Sequence, residues 1–297
     1  MNARLHRFSS GPWAFILPGL LLYAVIGLYP LFSQFYIAMT DMRIATINSA
    51  NFVGLENFRQ LFRDPVVRQI IGFTLLFVSV SVPLQFALGT ALALLLDRPL
   101  VGRVLFRLAI LTPWVISSII IGLMWRLLLH ESQVGTVNAL LGAFNLDAVA
   151  WFSDPTAAKV SVIGVNVWRS VAFTMIFMLG GLQTLPQEVL EAATVDGANA
   201  WQKLFRIKLP LLRAIAGLNL IYISISTFQV METILVLTQG GPGRATATLG
   251  YRMYELAFGQ FGPGDLGRSA ALGVILFAFI LIFAAIYLRL FLLQDER

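Results

Sequence analysis

The sequence predicts an all-α membrane protein with six transmembrane helices, and three observations carry that prediction. The 297-residue chain is 58% hydrophobic and only 12% charged, where an average soluble domain is about 25% charged. Several stretches are apolar over a bilayer-crossing length, which takes roughly 20 residues as a helix. Between two of them, from Gln183 to Arg213, lies a charged, helix-prone island.

Six spans follow in order: Pro12 to Met39, Ile70 to Leu96, Val104 to Leu129, Val160 to Leu182, Ala214 to Thr238 and Ser269 to Leu293. Backbone polar groups in lipid must be satisfied within the segment, so each span is expected as a helix. The spans take up so much of the chain that a large soluble domain does not fit, and residues 1–297 read as a single membrane domain. The first span is too long for a signal-peptide core and is expected to be retained. Arg4 and Arg7, with no acid near them, favour a cytoplasmic N-terminus, and six spans then return the C-terminus to the same side. Lysine and arginine are only slightly more numerous inside than outside.

The connections carry their own signals. Asn48 to Arg68 is polar with mixed charge. Asp97-Arg98-Pro99 ends the second span. Asp154-Pro155 fits a helix start, with Asp as N-cap and Pro where no donor is lost. Gly240-Gly241-Pro242-Gly243 and Gly262-Pro263-Gly264 are turn signals, and Thr246 to Phe261 between them fits an interfacial helix.

The island reads as two short helices joined at a glycine. Thr184 and Gln187 have the spacing of a capping box, Glu188 to Asp196 is helix-friendly, and Gly197 suits a left-handed stop. Ala192 and Ala193 offer a small surface for close approach. Ala198 to Lys208 restarts as a basic helix bearing Trp201, Leu204 and Phe205, and Pro210 marks the boundary before the fifth span. From the residues alone, two readings stay open: an amphipathic hairpin on the inner leaflet, or a helical element docked into a partner's groove.

The pattern Glu191-Ala192-Ala193-x3-Gly197-x9-Ile207-x-Leu209-Pro210 resembles the EAA loop of binding-protein-dependent ABC importer permeases. Asp196-Gly197-Ala198 inside it is also typical of that family. Its flanks, Gly181-Leu182-Gln183-x2-Pro186 and Leu237-Thr238-Gln239-Gly240-Gly241-Pro242, resemble the carbohydrate, maltose-type branch, and the similarity runs from Pro18 onward. The resemblance implies that Gln183–Arg213 is a cytoplasmic coupling loop seated in an ATPase subunit, through Glu191, Ala192, Ala193, Asp196, Gly197, Ile207, Leu209 and Pro210. It further implies a second permease subunit as heterodimer partner, two ATPase subunits that bind ATP and Mg, an extracytoplasmic solute-binding protein, and a bacterial or archaeal cytoplasmic membrane. No cofactor is expected on this chain itself.

The sequence also says what this chain does not do. None of its three lysines, Lys159, Lys203 and Lys208, is followed by Ser or Thr, so it has no P-loop and is not the ATPase. Cysteine is absent, which removes thiolate metal sites and cysteine catalysis. His6 and His130 fall on opposite sides of the membrane, and no catalytic constellation or metal site is expected. The net charge of +6 fits basic residues near headgroups rather than nucleic-acid binding.

Polar residues inside spans either mark a pathway or bond their own backbone and hold helices together. Asn219, Tyr222, Ser226, Gln229 and Thr233 follow helical spacing along the fifth span, and the fourth offers Asn166 and Ser170 one turn apart. The resemblance puts sugar-site positions at Asn166, Ser170, Ser226 and Thr227. Where the family pattern has aromatic and asparagine residues in the fifth span, this chain has Ser226 and Thr227, so the cargo is not carried over. Tyr222 and Gln229 complete the expected pathway. Arg169 and Glu232 stand out as charges at similar depth and are expected to form an intramembrane ion pair. The expected function is the permease subunit of an ATP-driven sugar importer. The alternatives are import of glycerol phosphate or another polar solute, or a standalone ion-coupled transporter.

Overall fold

The structure, a computed structural model, describes residues 11–132, 134–259 and 264–292. Arg4, His6, Arg7, Gly262, Pro263, Leu293 and Arg297 lie outside the described residues. The described chain is helical, with two isolated β-bridges, Thr40 to Phe52 and Arg43 to Asp265. Four helices among the described residues are long and apolar enough to cross a membrane, and two bent pairs bring the number to as many as six.

The first span is α1 (Gly11–Tyr23) and α2 (Tyr29–Ala38), joined by a π-helical stretch, Ala24–Leu28. A short helix, α3 (Glu56–Arg63), precedes the second span, α4 (Pro65–Leu96). That span starts earlier than Ile70 because Asp64 caps it, accepting from Val66 N at 2.8 Å, with Pro65 in the first turn.

The third span is broken. α5 (Arg103–Val115) and α6 (Ser118–Leu128) meet at 99°. Pro113 sits in the last turn of α5, where its ring and missing N–H loosen the ladder. The short α7 (Thr136–Ala143) leads to α8 (Pro155–Leu182). Asp154 caps α8 as its sequence signal predicts, accepting from Thr156 N and Ala157 N at 2.9 and 2.7 Å.

The island folds as α9 (Gln187–Val195), α10 (Ala200–Lys203), a π-helical stretch Leu204–Lys208, and α11 (Leu209–Leu211). α12 (Arg213–Phe228) leaves it at 70°. The fifth span is interrupted at Gln229–Met231 and resumes as α13 (Glu232–Leu237). The segment expected at the interface contains α14 (Leu249–Phe258), which buries Leu249, Tyr251 and Ala257 and packs on the last span, α15 (Leu266–Tyr287).

α4 and α8 form the centre of the molecule, and α12 packs on both. Around them Ile70, Phe77, Val78, Val162, Val165, Ile223, Phe228 and Leu272 make one buried cluster. α4 and α8 approach tightly at Gly89. A Cβ there would stand 2.5 Å from Thr174 Cβ and 3.0 Å from the Val171 carbonyl oxygen. Beside it, Thr174 Oγ1 donates to Asn219 Oδ1 at 3.2 Å, tying α8 to α12. α6 and α13, the second halves of the two broken spans, pack on each other.

Candidate functional site

Two features have functional geometry: the island at one end of the bundle, and a polar cavity beside the helix breaks.

The island is stiffened by short-range bonds. Gly197 has φ of +76°, and its N–H donates to Thr194 O at 3.1 Å while Ala198 N donates to Ala193 O at 2.9 Å. That pair of bonds is a Schellman stop, and the left-handed residue it needs is glycine here. The second helix starts on a capping box not anticipated from sequence. Asn199 Oδ1 accepts from Gln202 N, and Gln202 Oε1 accepts from Asn199 N. The box expected at Thr184 does not form. Thr184 Oγ1 instead donates back to Gly181 O at 2.8 Å, and α9 starts after Pro186. The residue before a proline is disfavoured from helical geometry, which pushes the start past Leu185.

Lys203 Nζ donates to Thr194 Oγ1 at 2.7 Å, holding the two short helices together. Lys208 pairs with Asp97 at 3.3 Å, fixing the exit of the island to the end of α4. Glu191, Ala192, Asp196, Gly197 and Pro210 are exposed, and Ile207 and Leu209 are half-buried. Ala193 is buried, so of the expected alanine pair only Ala192 is free for close approach. Val195 is 88% exposed, and Trp201 and Phe205 are exposed as a stacked pair with ring centroids 5.6 Å apart. Apolar side chains standing free on a charged element mark a candidate docking surface.

The polar cavity, about 240 Å³, is lined by Gln85 of α4, Trp114 of α5, Asn166, Arg169, Ser170 and Phe173 of α8, and Tyr222, Ser226 and Gln229 of the fifth span. Phe173 and Tyr222 stack with centroids 4.1 Å apart, and Trp114 lies 5.8 Å from Phe173. Amides, hydroxyls and aromatic faces therefore converge on one space, as in sites that orient a polar ligand. A second cavity of similar size adds Ser118, Met231, Glu232 and Thr233, and shares Arg169, Ser226, Gln229 and Val230 with the first. Both lie where the two spans break. A larger hollow of about 800 Å³ between α4, α5 and α8 has an almost wholly apolar lining and offers little to a polar solute.

The structure brings together five of the six expected pathway residues: Asn166, Ser170, Tyr222, Ser226 and Gln229. Thr227 lines neither cavity. It is buried and accepts from Gln85 Nε2 at 3.3 Å, so it joins α12 to α4. Asn219, from the same sequence stripe, is likewise spent on the contact with Thr174. Arg169 and Glu232 share the second cavity but form no ion pair with each other. Glu232 sits exposed in the first turn of α13, the end of a helix that favours an acid. Gln85, Trp114 and Phe173 were missed. A lone amide in the apolar second span, and Phe173 seven residues after Asn166 on the same helical face, were the available signals.

The opposite end of the bundle is braced by half-buried and exposed polar contacts. Asn138 bonds Glu131 O, Val149 O, Val149 N and Trp151 Nε1 at 2.9–3.1 Å. The Glu131 carboxylate accepts from the Ser153 hydroxyl and from the backbone of Phe152 and Ser153. Those bonds, the Ser153 hydroxyl first, hold its pKa below the ordinary glutamate value. Glu255 is raised by burial, but Arg244 and Arg252 together hold it below its ordinary value.

Residues 85–293 match the family described as "Binding-protein-dependent transport system inner membrane component". The chain belongs to that family. This permease is 31% identical over 278 residues to the sulfoquinovosyl glycerol transport system permease protein SmoG of Agrobacterium fabrum, covering 94% of this chain and 89% of the relative. It is 32% identical over 284 residues to the trehalose/maltose transport system permease protein MalF of Thermococcus litoralis, covering 96% and 94%. Its fold resembles a membrane chain of a bacterial alginate ABC transporter solved with an alginate pentasaccharide-bound periplasmic protein. There the TM-score is 0.78 at 21% identity, covering 93% of this chain and 91% of that one. The permease is a multi-pass membrane subunit of an ABC importer and carries no ATPase domain of its own.

Proposed function

We propose that this permease forms half of the translocation pathway of an ATP-driven carbohydrate importer, paired with a second, non-identical permease. Two ATPase subunits, each binding ATP and Mg, sit against the island and its counterpart, on the cytoplasmic side with both termini. An extracytoplasmic solute-binding protein docks at the opposite end. The observation that carries the reading is the cavity: amide and hydroxyl groups at Asn166, Ser170, Ser226 and Gln229 beside the rings of Trp114, Phe173 and Tyr222. The exposure of Tyr222, Ser226 and Gln229 supports a pathway completed by a second subunit. The carbohydrate relatives support the cargo class.

Closure of the ATPase pair on ATP pulls on α9 and α10. Glu191, Ala192, Asp196, Gly197, Ile207, Leu209 and Pro210 transmit that movement, through the Lys208–Asp97 link and the start of α12, to the helices around the cavity. ATP and the loaded binding protein each act by preferring one state of the bundle. The test is capture of the tagged chain in mild detergent, with identification of its partners and an ATPase assay over a panel of sugars. A co-purifying ATPase, a second permease and sugar-stimulated hydrolysis are expected. A chain that purifies alone and moves solute down an ion gradient refutes the proposal. Glycerol phosphate or another polar solute as cargo is the second reading, favoured by Arg169 on the cavity wall.

A further inference from the structure

We infer that the cargo of this permease carries an anionic group, carboxylate, sulfonate or phosphate, and that Arg169 receives it. The inference rests on the importer reading above and narrows its substrate class.

Arg169 is the only formally charged side chain lining the first cavity. Among the described residues it forms no ion pair and no side-chain hydrogen bond, and its Nε is buried without a partner. A guanidinium at membrane depth is costly unless it is paired, and its planar fork of donors matches a carboxylate, sulfonate or phosphate two bonds at a time. Asn166, one helical turn earlier, is 4% exposed, lines the same cavity, and leaves its Nδ2 donor unpartnered. Two residues that line one space, one of them cationic, thus each keep a buried donor without a partner. Glu232, the acid nearest in kind, lines the second cavity and not the first. An anion seated against Asn166 and Arg169 therefore meets the cation without the acid. The sugar body would rest on Tyr222 and Phe173, and Ser170, Ser226 and Gln229 remain for hydroxyls.

The experiment uses the complete importer, purified through this chain together with its binding protein and reconstituted in liposomes. ATPase stimulation is measured with glucuronate, a sugar sulfonate, glycerol phosphate, glucose, maltose and trehalose as probes. The expected result is stimulation by at least one acidic probe in preference to the neutral ones, and which acid works identifies the anionic group. R169Q should raise the half-stimulating concentration of that probe at least tenfold, with R169K recovering much of the loss. R169Q alters only the permease, so a shift in that concentration with recovery in R169K assigns the effect to Arg169 and not to the binding protein. If R169Q fails to assemble, the selectivity of the unaltered complex decides by itself. Stimulation by neutral sugars alone, or an acidic response unchanged within twofold in R169Q, overturns the inference and leaves the importer reading standing. No response to any probe, acidic or neutral, overturns the carbohydrate reading and this inference with it.

Discussion

Replacing Gly89 by alanine should split the centre of the bundle. The added Cβ would lie 2.5 Å from Thr174 Cβ and 2.6 Å from its Cγ2, with the Val171 carbonyl oxygen at 3.0 Å. Ordinary carbon contacts are about 3.5–4.0 Å, so about 1 Å must be found. Rotation of Thr174 cannot supply it, because its Cβ is fixed to the backbone, and α8 must move off α4. Overpacking of this kind costs about 1–3 kcal/mol. The same shift stretches the 3.2 Å bond from Thr174 to Asn219, worth about 1 kcal/mol. A loss of about 2–4 kcal/mol together should lower the apparent Tm by on the order of 5 °C or more. Tryptophan fluorescence of the purified complex during heating reads this directly. Gly164→Ala on the same α8, where a Cβ meets nothing within 4 Å, is the control and should be neutral or slightly stabilising. A Gly89→Ala protein that melts with the wild type, or a Gly164→Ala protein that loses as much, refutes the packing argument.

Other expectations follow from the same contacts. Gly197→Pro removes the N–H that closes the Schellman stop and cannot adopt φ of +76°. It should cut uptake at least tenfold while the spans stay folded, and so should Glu191→Lys; normal uptake with the ATPase still bound counts against the coupling role. Ser226→Ala should raise the KM for transport with little change in Tm, whereas Thr227→Val should lower Tm and leave KM alone, since only Ser226 lines the cavity. Equal effects of the two on transport would return Thr227 to the pathway. Glu131 has a lowered native pKa, so its contribution is present above the ordinary value of 4.5 and is lost as pH falls through the lower native value. Protection of the Phe152 and Ser153 amides, taken against their intrinsic exchange rates, should therefore fall in that acid range; protection unchanged on both sides of it would remove Glu131 as the anchor.

What the sequence made legible depended on whether one residue type could serve only one purpose. Gly197 in a charged island admits few roles, and its left-handed stop was readable. Asp154-Pro155 was readable as a cap, and the same dipeptide at Asp64-Pro65 went unread because it sat in a stretch assigned to a polar loop. The break in the third span went unread although Pro113 and the Ser117-Ser118 pair stand at it, because neither says whether a helix kinks or ends. Helical spacing put Asn219, Tyr222, Ser226 and Gln229 on one stripe. It could not tell which of them face neighbours and which face space, because that depends on α4 and α8, far away in sequence. For the same reason the pairing of Arg169 with Glu232 was a matter of depth alone, and the interruption at Gln229–Met231 put the acid on a separate helix.

The contact between α2 and α15 joins the first span of the chain to the last. It has a consequence for biogenesis. Roughly 230 residues separate the two helices, and at 5–20 residues per second the ribosome needs on the order of 10–50 s to make the partner. Throughout that interval the first helix is in lipid with nothing to dock on. Its most apolar window buries nothing even in the finished fold, so the surface left waiting is confined to the end of α2, where Phe35 meets Phe277 and Ala38 is buried. A C-terminal truncation ahead of Leu266 should therefore leave the first helix inserted but unattached. The last helix to be synthesised is the one that closes the subunit.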